Sequence, residues 1–167
     1  MRIVSMARPA GRILAFAAML TYATNVNAQS GNPRLAALAQ DSTAAPIVVV
    51  AGAEHYTAAP APFPNGAMIA VLSGDPTKTG APYTIRIKLP DGARIPPHTH
   101  GGVENVTVMQ GSFLVGLGST FDASKMNALR VGSYVSVPPG LPHYAMAKGV
   151  TVVDVSGIGP ESTNSVK

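Results

Sequence analysis

Residues 92–111 read GARIPPHTHGGVENVTVMQG, a stretch in which two histidines and a glutamate follow a short β-type run. His98 and His100 are two positions apart, so on a strand both imidazoles project from the same face, about 7 Å apart at the backbone. Ring nitrogens placed in this way can both reach one metal ion at about 2.1 Å. The spacing therefore indicates a pair of metal ligands carried by a strand.

Glu104 is the third candidate ligand in this stretch. It follows the flexible pair Gly101-Gly102 and begins a run whose alternate members, Val106 and Val108, are apolar. The same alternation predicts that the Glu104 side chain points inward with the two valines. A buried carboxylate is costly unless it is paired, and neutral imidazoles carry no compensating charge, so a bound cation accounts for the group.

His143 is the fourth candidate ligand. It follows the turn at residues 138–140 and begins a short run in which Ala145 and Ala147 share its face, which leaves room around an ion. The sequence thus predicts one divalent transition metal ion. Its predicted ligands are His98, His100, Glu104 and His143.

The rest of the chain has the pattern of an all-β protein. From Ile47 onward, β-type runs are broken by Gly and Pro every eight to twelve residues, which is typical of a sandwich or barrel. The clearest run is 83–89, where apolar and polar residues alternate as on a strand with one buried face. Among these runs, one internal segment, 122–129, is predicted to be helical. The predicted strands are 47–50, 68–72, 83–89, 94–100, 104–109, 112–117, 133–137, 143–148 and 150–156.

The first 28 residues have the pattern of a secretory signal peptide. Three arginines form a positive leader, an apolar run occupies 13–20, and small residues precede a cleavage site after Ala28. The apolar run is shorter than the roughly 20 residues that a membrane-spanning helix needs. A signal that begins at Met6 rather than Met1 would be equally complete. We expect an exported protein, periplasmic or secreted, whose mature form is not attached to a membrane.

The predicted signal peptide also accounts for the basic charge of the chain. Beyond residue 28 there are nine Lys and Arg against eight Asp and Glu, which argues against nucleic acid or anionic lipid as a partner. The chain has no cysteine, which excludes disulfides and thiolate metal ligands. Composition predicts a signal peptide at 1–28, a flexible lead-in at 29–46, one domain at 47–160 and a disordered polar tail at 161–167.

The sequence resembles the cupin superfamily, and in particular its small, single-domain, exported bacterial members. The first cupin motif, G(X)5HXH(X)3,4E(X)6G, is met by Gly92, His98, His100, Glu104 and Gly111. The second, G(X)5PXG(X)2H(X)3N, is met by Gly132, Pro138, Gly140 and His143, with Ala147 where Asn is usual. The resemblance implies an antiparallel β-barrel, or double-sheet jelly roll, in which the matched His, His, Glu and His are metal ligands. It also implies that barrels pair into homodimers through edge strands, for which 47–50 is a candidate.

Three imidazoles and one carboxylate are suited to Fe(II), Mn(II), Ni(II), Co(II), Cu(II) or Zn(II), and iron or manganese is favoured here. Four protein ligands leave two positions of an octahedral field open. We expect a metalloenzyme that acts on a small molecule by dioxygenase-like or lyase or isomerase chemistry, with Glu104 as a ligand that can shift to act as a base. Two alternatives stay open. One is a non-catalytic module that binds or senses a small ligand or the metal, and the other is a storage-like barrel stabilised by metal.

Two further expectations concern the surroundings of the site. Asp154 lies in the apolar run 150–155, where it either faces outward, which is favoured, or orients a ligand histidine from behind. The pocket is expected to have a generic apolar lining. Its predicted lining residues are Ile85, Ile87, Val106, Phe113 and Val135.

Overall fold

Residues 46–166 are described by the computed structural model, and this part of the chain is built almost wholly from β-strands. The strands are Thr57–Ala58 (β1), Met68–Gly74 (β2), Pro82–Leu89 (β3), Arg94–His100 (β4), Glu104–Leu117 (β5), Asn127–Arg130 (β6), Tyr134–Val137 (β7), His143–Ile158 (β8) and Thr163–Ser165 (β9). A search of the described residues finds no helix with the length and apolar character to cross a bilayer. The predicted signal peptide, and the lead-in up to residue 45, lie outside the described residues.

The strands pair throughout in the antiparallel sense. One path runs in the order β1-β2-β3-β8-β4-β9, and β5 pairs with β8 and also with β6 and β7. The two longest strands, β5 and β8, pair along most of their length and bend together, so that the sheet curls around an apolar interior. This is an all-β, antiparallel jelly-roll barrel, and the predicted fold class is confirmed.

The interior is formed by alternate residues of β3, β8 and β5. Ile85, Val155 and Val106 lie side by side in register across the three strands, and each is less than 5% exposed. The next residue along β3, Arg86, faces the outside next to Asp154 of β8. The alternation predicted for 83–89 is therefore confirmed. It places one face of each strand in the core and the other in water.

Both long strands were predicted as two shorter ones, and that prediction is wrong. The register between β5 and β8 shifts on either side of Gln110, which marks a β-bulge rather than a chain turn. Gly111 sits in this bend with a φ of 73°, where a Cβ would collide with the backbone of Val150 and with Thr151. Glycine therefore bends a paired strand at this position, which is a common way to curve a sheet.

The predicted helix at 122–129 is also wrong. Only Ala123–Lys125 forms a 3₁₀ turn, capped by Asp122, whose carboxylate accepts a hydrogen bond from the Ser124 N–H at 2.9 Å. Residues 127–130 instead form β6 on the edge of β5. An isolated helix shorter than about 12 residues is marginal in water, whereas the edge of β5 offers partners for the backbone groups.

The two ends of the described chain differ from expectation in opposite ways. Residues 47–50, predicted as a strand, belong to no strand, and their side chains are 40–77% exposed. β-propensity alone makes no strand, and no edge within residues 46–166 pairs with this segment. The tail from residue 161 was predicted to be disordered, which is wrong for residues 161–166. Thr163–Ser165 forms β9, because the edge of β4 is open there to hydrogen bonding.

Candidate metal centre

The barrel brings the three predicted histidine ligands together, and places Glu104 beside two of them. His98 and His100 lie on β4, Glu104 begins β5, and His143 begins β8 directly opposite His98. All three histidines are buried, with side chains no more than 5% exposed. One ring nitrogen from each lies within 4.8 Å of the others. His98, His100 and His143 are thus positioned to bind one metal ion.

The prolines before His98 explain how β4 delivers its histidines. Pairing between β4 and β8 shifts register between Ile95 and His98, across Pro96 and Pro97, and resumes where His98 faces His143. Proline has no N–H to donate to the ladder, so it favours such an irregularity. A bulge changes the direction of the side chains that follow it. Here it turns the two imidazoles of β4 toward the interior.

Backbone carbonyls fix the orientation of two of the imidazoles. The Nδ1 of His98 lies 2.7 Å from the Pro96 carbonyl oxygen, and the Nδ1 of His143 lies 3.0 Å from that of Leu141. A carbonyl oxygen can only accept, so in each ring Nδ1 carries the hydrogen and Nε2 keeps a lone pair. Burial lowers the pKa of His98 to about 4, so this ring is neutral at neutral pH and ready to act as a ligand.

A carboxylate that the sequence prediction missed orients the third imidazole. The Nδ1 of His100 donates to Glu161 Oε1 at 3.1 Å and to the Ser162 carbonyl oxygen at 3.0 Å. Glu161 also accepts hydrogen bonds from the Tyr83 hydroxyl at 2.7 Å and from Thr163 Oγ1 at 3.1 Å. Glu161 lies in the tail predicted to be disordered, and no motif in its polar surroundings marked it.

The hydrogen bonds of Glu161 also set the charges behind the centre. Burial would raise the pKa of Glu161, but the hydrogen bonds from His100 and Tyr83 outweigh it and hold this pKa at about 2. For His100, burial alone would lower the pKa. The hydrogen bond to Glu161 and the negative charges of Glu104 and Glu161 outweigh burial, and the pKa of His100 is raised. Glu161 is therefore an ionised acceptor behind the His100 ring.

Glu104 points into the barrel beside the histidines. Its Oε2 lies 3.3 Å from His143 Nε2 and 3.5 Å from His100 Nε2. His100 Nε2 is buried and has no hydrogen-bond partner. When the ring is neutral, with its hydrogen on Nδ1, the Nε2 lone pair faces a carboxylate oxygen, and two acceptors oppose each other at close range. A cation between them satisfies both, so these residues fit a divalent metal ion.

Asp154 has no part in the centre. It lies on the outer face of the sheet, where Arg86 donates to both of its oxygens, from Nε at 2.6 Å and from Nη2 at 2.8 Å. Arg86 also pairs with Glu54 from the segment before β1. The favoured outward position of Asp154 is confirmed. The alternative, that Asp154 orients a ligand histidine, is wrong, because Glu161 occupies that position.

The centre opens onto a cavity of about 240 Å³ inside the barrel. Most of the wall is apolar, and the segment Pro60–Phe63 before β2 contributes to it. The polar residues of the lining are His98, His100, Glu104, His143, Glu161 and Thr163. All five residues predicted to line the pocket do so, namely Ile85, Ile87, Val106, Phe113 and Val135.

Solved structures with the same architecture include an acetylacetone dioxygenase from Acinetobacter johnsonii. It is 19% identical over 72% of this chain and 78% of that one, with a TM-score of 0.56. A cupin-like protein from Thermotoga maritima is 19% identical over 66% of this chain and 86% of that one, with a TM-score of 0.54. KdgF from Halomonas sp. is 19% identical over 66% of this chain and 93% of that one, with a TM-score of 0.51. At these identities the similarity shows the fold alone.

Among curated proteins, none matches this sequence. The family model described as Cupin matches residues 63–167, which include every strand from β2 to β9 and all four predicted ligands. Together with the barrel and the three converging histidines, this match shows that the chain belongs to the cupin family.

Proposed function

We propose that this protein is an exported, metal-dependent enzyme that acts on a small molecule by oxygenase- or lyase-type chemistry, with Fe(II) or Mn(II) as the favoured metal. One observation carries the proposal. Three imidazole nitrogens converge at the polar end of an otherwise apolar cavity, and the carboxylate of Glu104 lies beside two of them. The same fold occurs in an acetylacetone dioxygenase, so the scaffold can accommodate oxygenase chemistry.

In this proposal the Nε2 atoms of His98, His100 and His143, together with a carboxylate oxygen of Glu104, hold the ion. Such an ion supplies a Lewis acid or a redox centre with positions left open for a substrate. The three imidazoles are held in place through Nδ1, by Pro96, Leu141 and Glu161. Rigid ligands preserve the geometry of the centre while a substrate binds.

Glu104 differs from the three histidines in how it is held. No group in residues 46–166 donates a hydrogen bond to its carboxylate, so its direct polar neighbours are the two ring nitrogens. A carboxylate without such an anchor can rotate between the ion and a bound substrate. We assign Glu104 the additional role of a base that accepts a proton from the substrate.

The cavity wall contributes by keeping water away. Apolar side chains from β3, β5 and β8 surround the space next to the centre, with Ile87, Val106 and Val153 among them. Where water is excluded, the attraction between the charges of the centre and an ionised substrate is stronger than in solution. The wall therefore favours binding of a small molecule against the ion.

Metal analysis with a pair of histidine variants tests the proposal. We expect the protein purified from its own exported compartment to contain one equivalent of iron or manganese, and to turn over or take up dioxygen with a member of a set of phenolic, keto-acid and sugar-acid compounds. His98→Ala should lose both metal and activity. His55→Ala, which changes an exposed histidine outside the cavity, should keep both.

Other outcomes would reject parts of the proposal. Stoichiometric metal and ligand binding without turnover would favour a non-catalytic binding module. A His98→Ala variant that keeps its metal would show that the ligand assignment is wrong. The proposed export is checked separately by mass spectrometry of the mature chain, which should begin at Gln29.

A further inference from the structure

We propose that the substrate has an apolar body, a single oxygen-bearing head that reaches the metal centre, and at most one negative charge. This inference rests on the proposed function, since it concerns what the metal-dependent cavity accepts. It excludes compounds with several polar groups, such as sugar acids and dicarboxylic acids, which the function alone would allow.

The distribution of polar groups in the cavity is the first observation. The six polar residues of the lining form one connected cluster. Four of them are the predicted ligands, Glu161 is hydrogen bonded to His100, and Thr163 is hydrogen bonded to Glu161. The remaining described residues of the lining carry aliphatic, aromatic or proline side chains. All side-chain hydrogen bonding available to a bound molecule is therefore at one end.

The backbone of the strands that form much of the wall is already hydrogen bonded. Much of the wall is formed by β3, β8 and β5, which pair in register, as in the row Ile85, Val155 and Val106. The N–H and C=O groups of such central residues are engaged in the ladders on either side. A hydroxyl or second carboxylate of a substrate held against these strands would lose its hydrogen bonds to water and gain none from the strands, which disfavours its binding.

Charge is the second observation. Among the described residues that line the cavity there is no lysine or arginine, but there are two carboxylates, Glu104 and Glu161. Both oxygens of Glu161 accept hydrogen bonds, from Tyr83 and Thr163, as those of an ionised group do. With a divalent ion present, the charges of these carboxylates and the ion cancel. A monoanionic head adds one uncompensated charge next to the ion, and a dianion adds a second without a cationic partner.

The size of the cavity limits the body of the substrate. Its volume of about 240 Å³ lies below the range of about 300–1,000 Å³ that is usual for drug-sized ligands. A compact molecule fills this space, and its apolar atoms gain from contact with the side chains of the wall.

Matched acids with the same head and different tails test this inference. The full chain is loaded with Co(II), and binding is followed by the visible absorption of the ion. 2-Oxohexanoate and 2-oxoadipate have the same 2-oxo acid head and six carbons, but 2-oxoadipate ends in a second carboxylate. We expect 2-oxohexanoate to bind about tenfold more tightly or better. A second pair, 4-methylcatechol and 3,4-dihydroxybenzoate, repeats the comparison with a different head, and 4-methylcatechol should bind more tightly.

The outcomes separate this inference from the proposed function. Protein that binds Co(II) but prefers the member with the extra carboxylate, or responds to neither pair, overturns the substrate class alone. Protein that takes up no Co(II) overturns the proposed function and the inference with it.

A pair of variants then tests whether the apolar wall causes the preference for the acid without a second carboxylate. Val135→Lys places a cation in the lining, and should reduce or reverse the preference for 2-oxohexanoate. Val131→Lys adds the same charge at a position that is 60% exposed, and should leave the preference unchanged. An unchanged preference in a folded Val135→Lys variant contradicts the inference. If that variant does not fold, the comparison of the acids on the unmodified protein decides.

Discussion

At the scale of single residues, the atoms behind the imidazoles determine what the centre can do. Two rings are held by carbonyl oxygens of their own strands or turns, and the third by Glu161 from the end of the chain. A carboxylate behind a histidine increases the basicity of the opposite ring nitrogen more than a neutral carbonyl does. The three histidines are thus unequal, and His100 is expected to be the strongest donor.

Replacement of Glu161 by glutamine tests this inequality. The amide keeps the shape of the side chain but removes the charge behind His100, so we expect metal affinity to fall by about 10- to 100-fold, the usual effect of losing such a partner. Competition with a chelator of known affinity measures the change. Asp154→Asn is the matched control, because it also removes the charge of a hydrogen-bonded carboxylate, here one that pairs with Arg86 on the outer face. Equal affinities for wild type and Glu161→Gln would contradict the assigned role.

At the scale of strands, the barrel depends on places where paired strands bend without separating. β5 and β8 remain paired on both sides of a shift in register near Gly111. If a turn divided β5 into two short strands, its inward-facing residues would not continue along one wall on both sides of the bend. The bend thus connects the ligand end of β5, at Glu104, to the part of the wall formed by Phe113 and Val115.

Alanine variants of two glycines separate two reasons for glycine at this bend, the left-handed backbone and the lack of space for a Cβ. Gly111 and Gly149 have almost the same φ, 73° and 72°, but only at Gly111 would a Cβ collide with neighbouring atoms. Gly149→Ala should cost about 1 kcal/mol of unfolding free energy for the left-handed backbone alone. Gly111→Ala should cost clearly more, since backbone atoms of β8 must also move. Urea denaturation measures both, and equal losses would show that the collision is relieved without cost.

At the scale of the whole molecule, the candidate metal centre connects segments that are far apart in sequence. β4, β5 and β8 provide the four predicted ligands, and the C-terminal segment supports one of them through Glu161 and β9. An ion that binds only the folded arrangement stabilises it by mass action. Metal content and global stability are therefore expected to change together.

Removal of the metal should lower the melting temperature of the whole barrel. An ion at about 100 times its dissociation constant contributes about 2.7 kcal/mol to the free energy of unfolding. Differential scanning calorimetry with and without chelator measures the shift, which should vanish in His98→Ala and persist in His55→Ala. A melting temperature that does not respond to the chelator in wild type would count against a bound ion.

Association of two barrels is a further prediction at this scale. Four consecutive apolar residues at 47–50 are 40–77% exposed and belong to no strand of their own chain. Such a segment can pair with an edge of a second copy, as the resemblance to small cupins implies. We expect sedimentation velocity to show a dimer that Val48→Lys weakens. Val131→Lys, also at an exposed valine, should leave it intact, and a monomeric wild type at high concentration would refute the prediction.

Much of the architecture and of the site follows from local patterns in the chain. The alternation of 83–89 identified the inward face of β3, and the spacing of His98 and His100 placed both rings on one side of β4, because side chains on a strand alternate with a period of two. The motif positions added His143, and three histidines do converge. These properties depend on neighbours within a few residues, so they are visible before folding is considered.

Other properties depended on which strand edges remain open once the barrel has formed. Residues 127–130 became a strand because β5 had an open edge, and the tail became β9 because β4 had one. The position of Glu161 behind His100 follows from that second pairing, over a separation of 61 residues. Local composition predicted a helix at 122–129, a disordered tail from residue 161 and an outward position for Asp154. Only the outward position of Asp154 is found. Backbone groups pair with whatever edge is available in three dimensions, and a short polar segment carries no sign of which edge that will be.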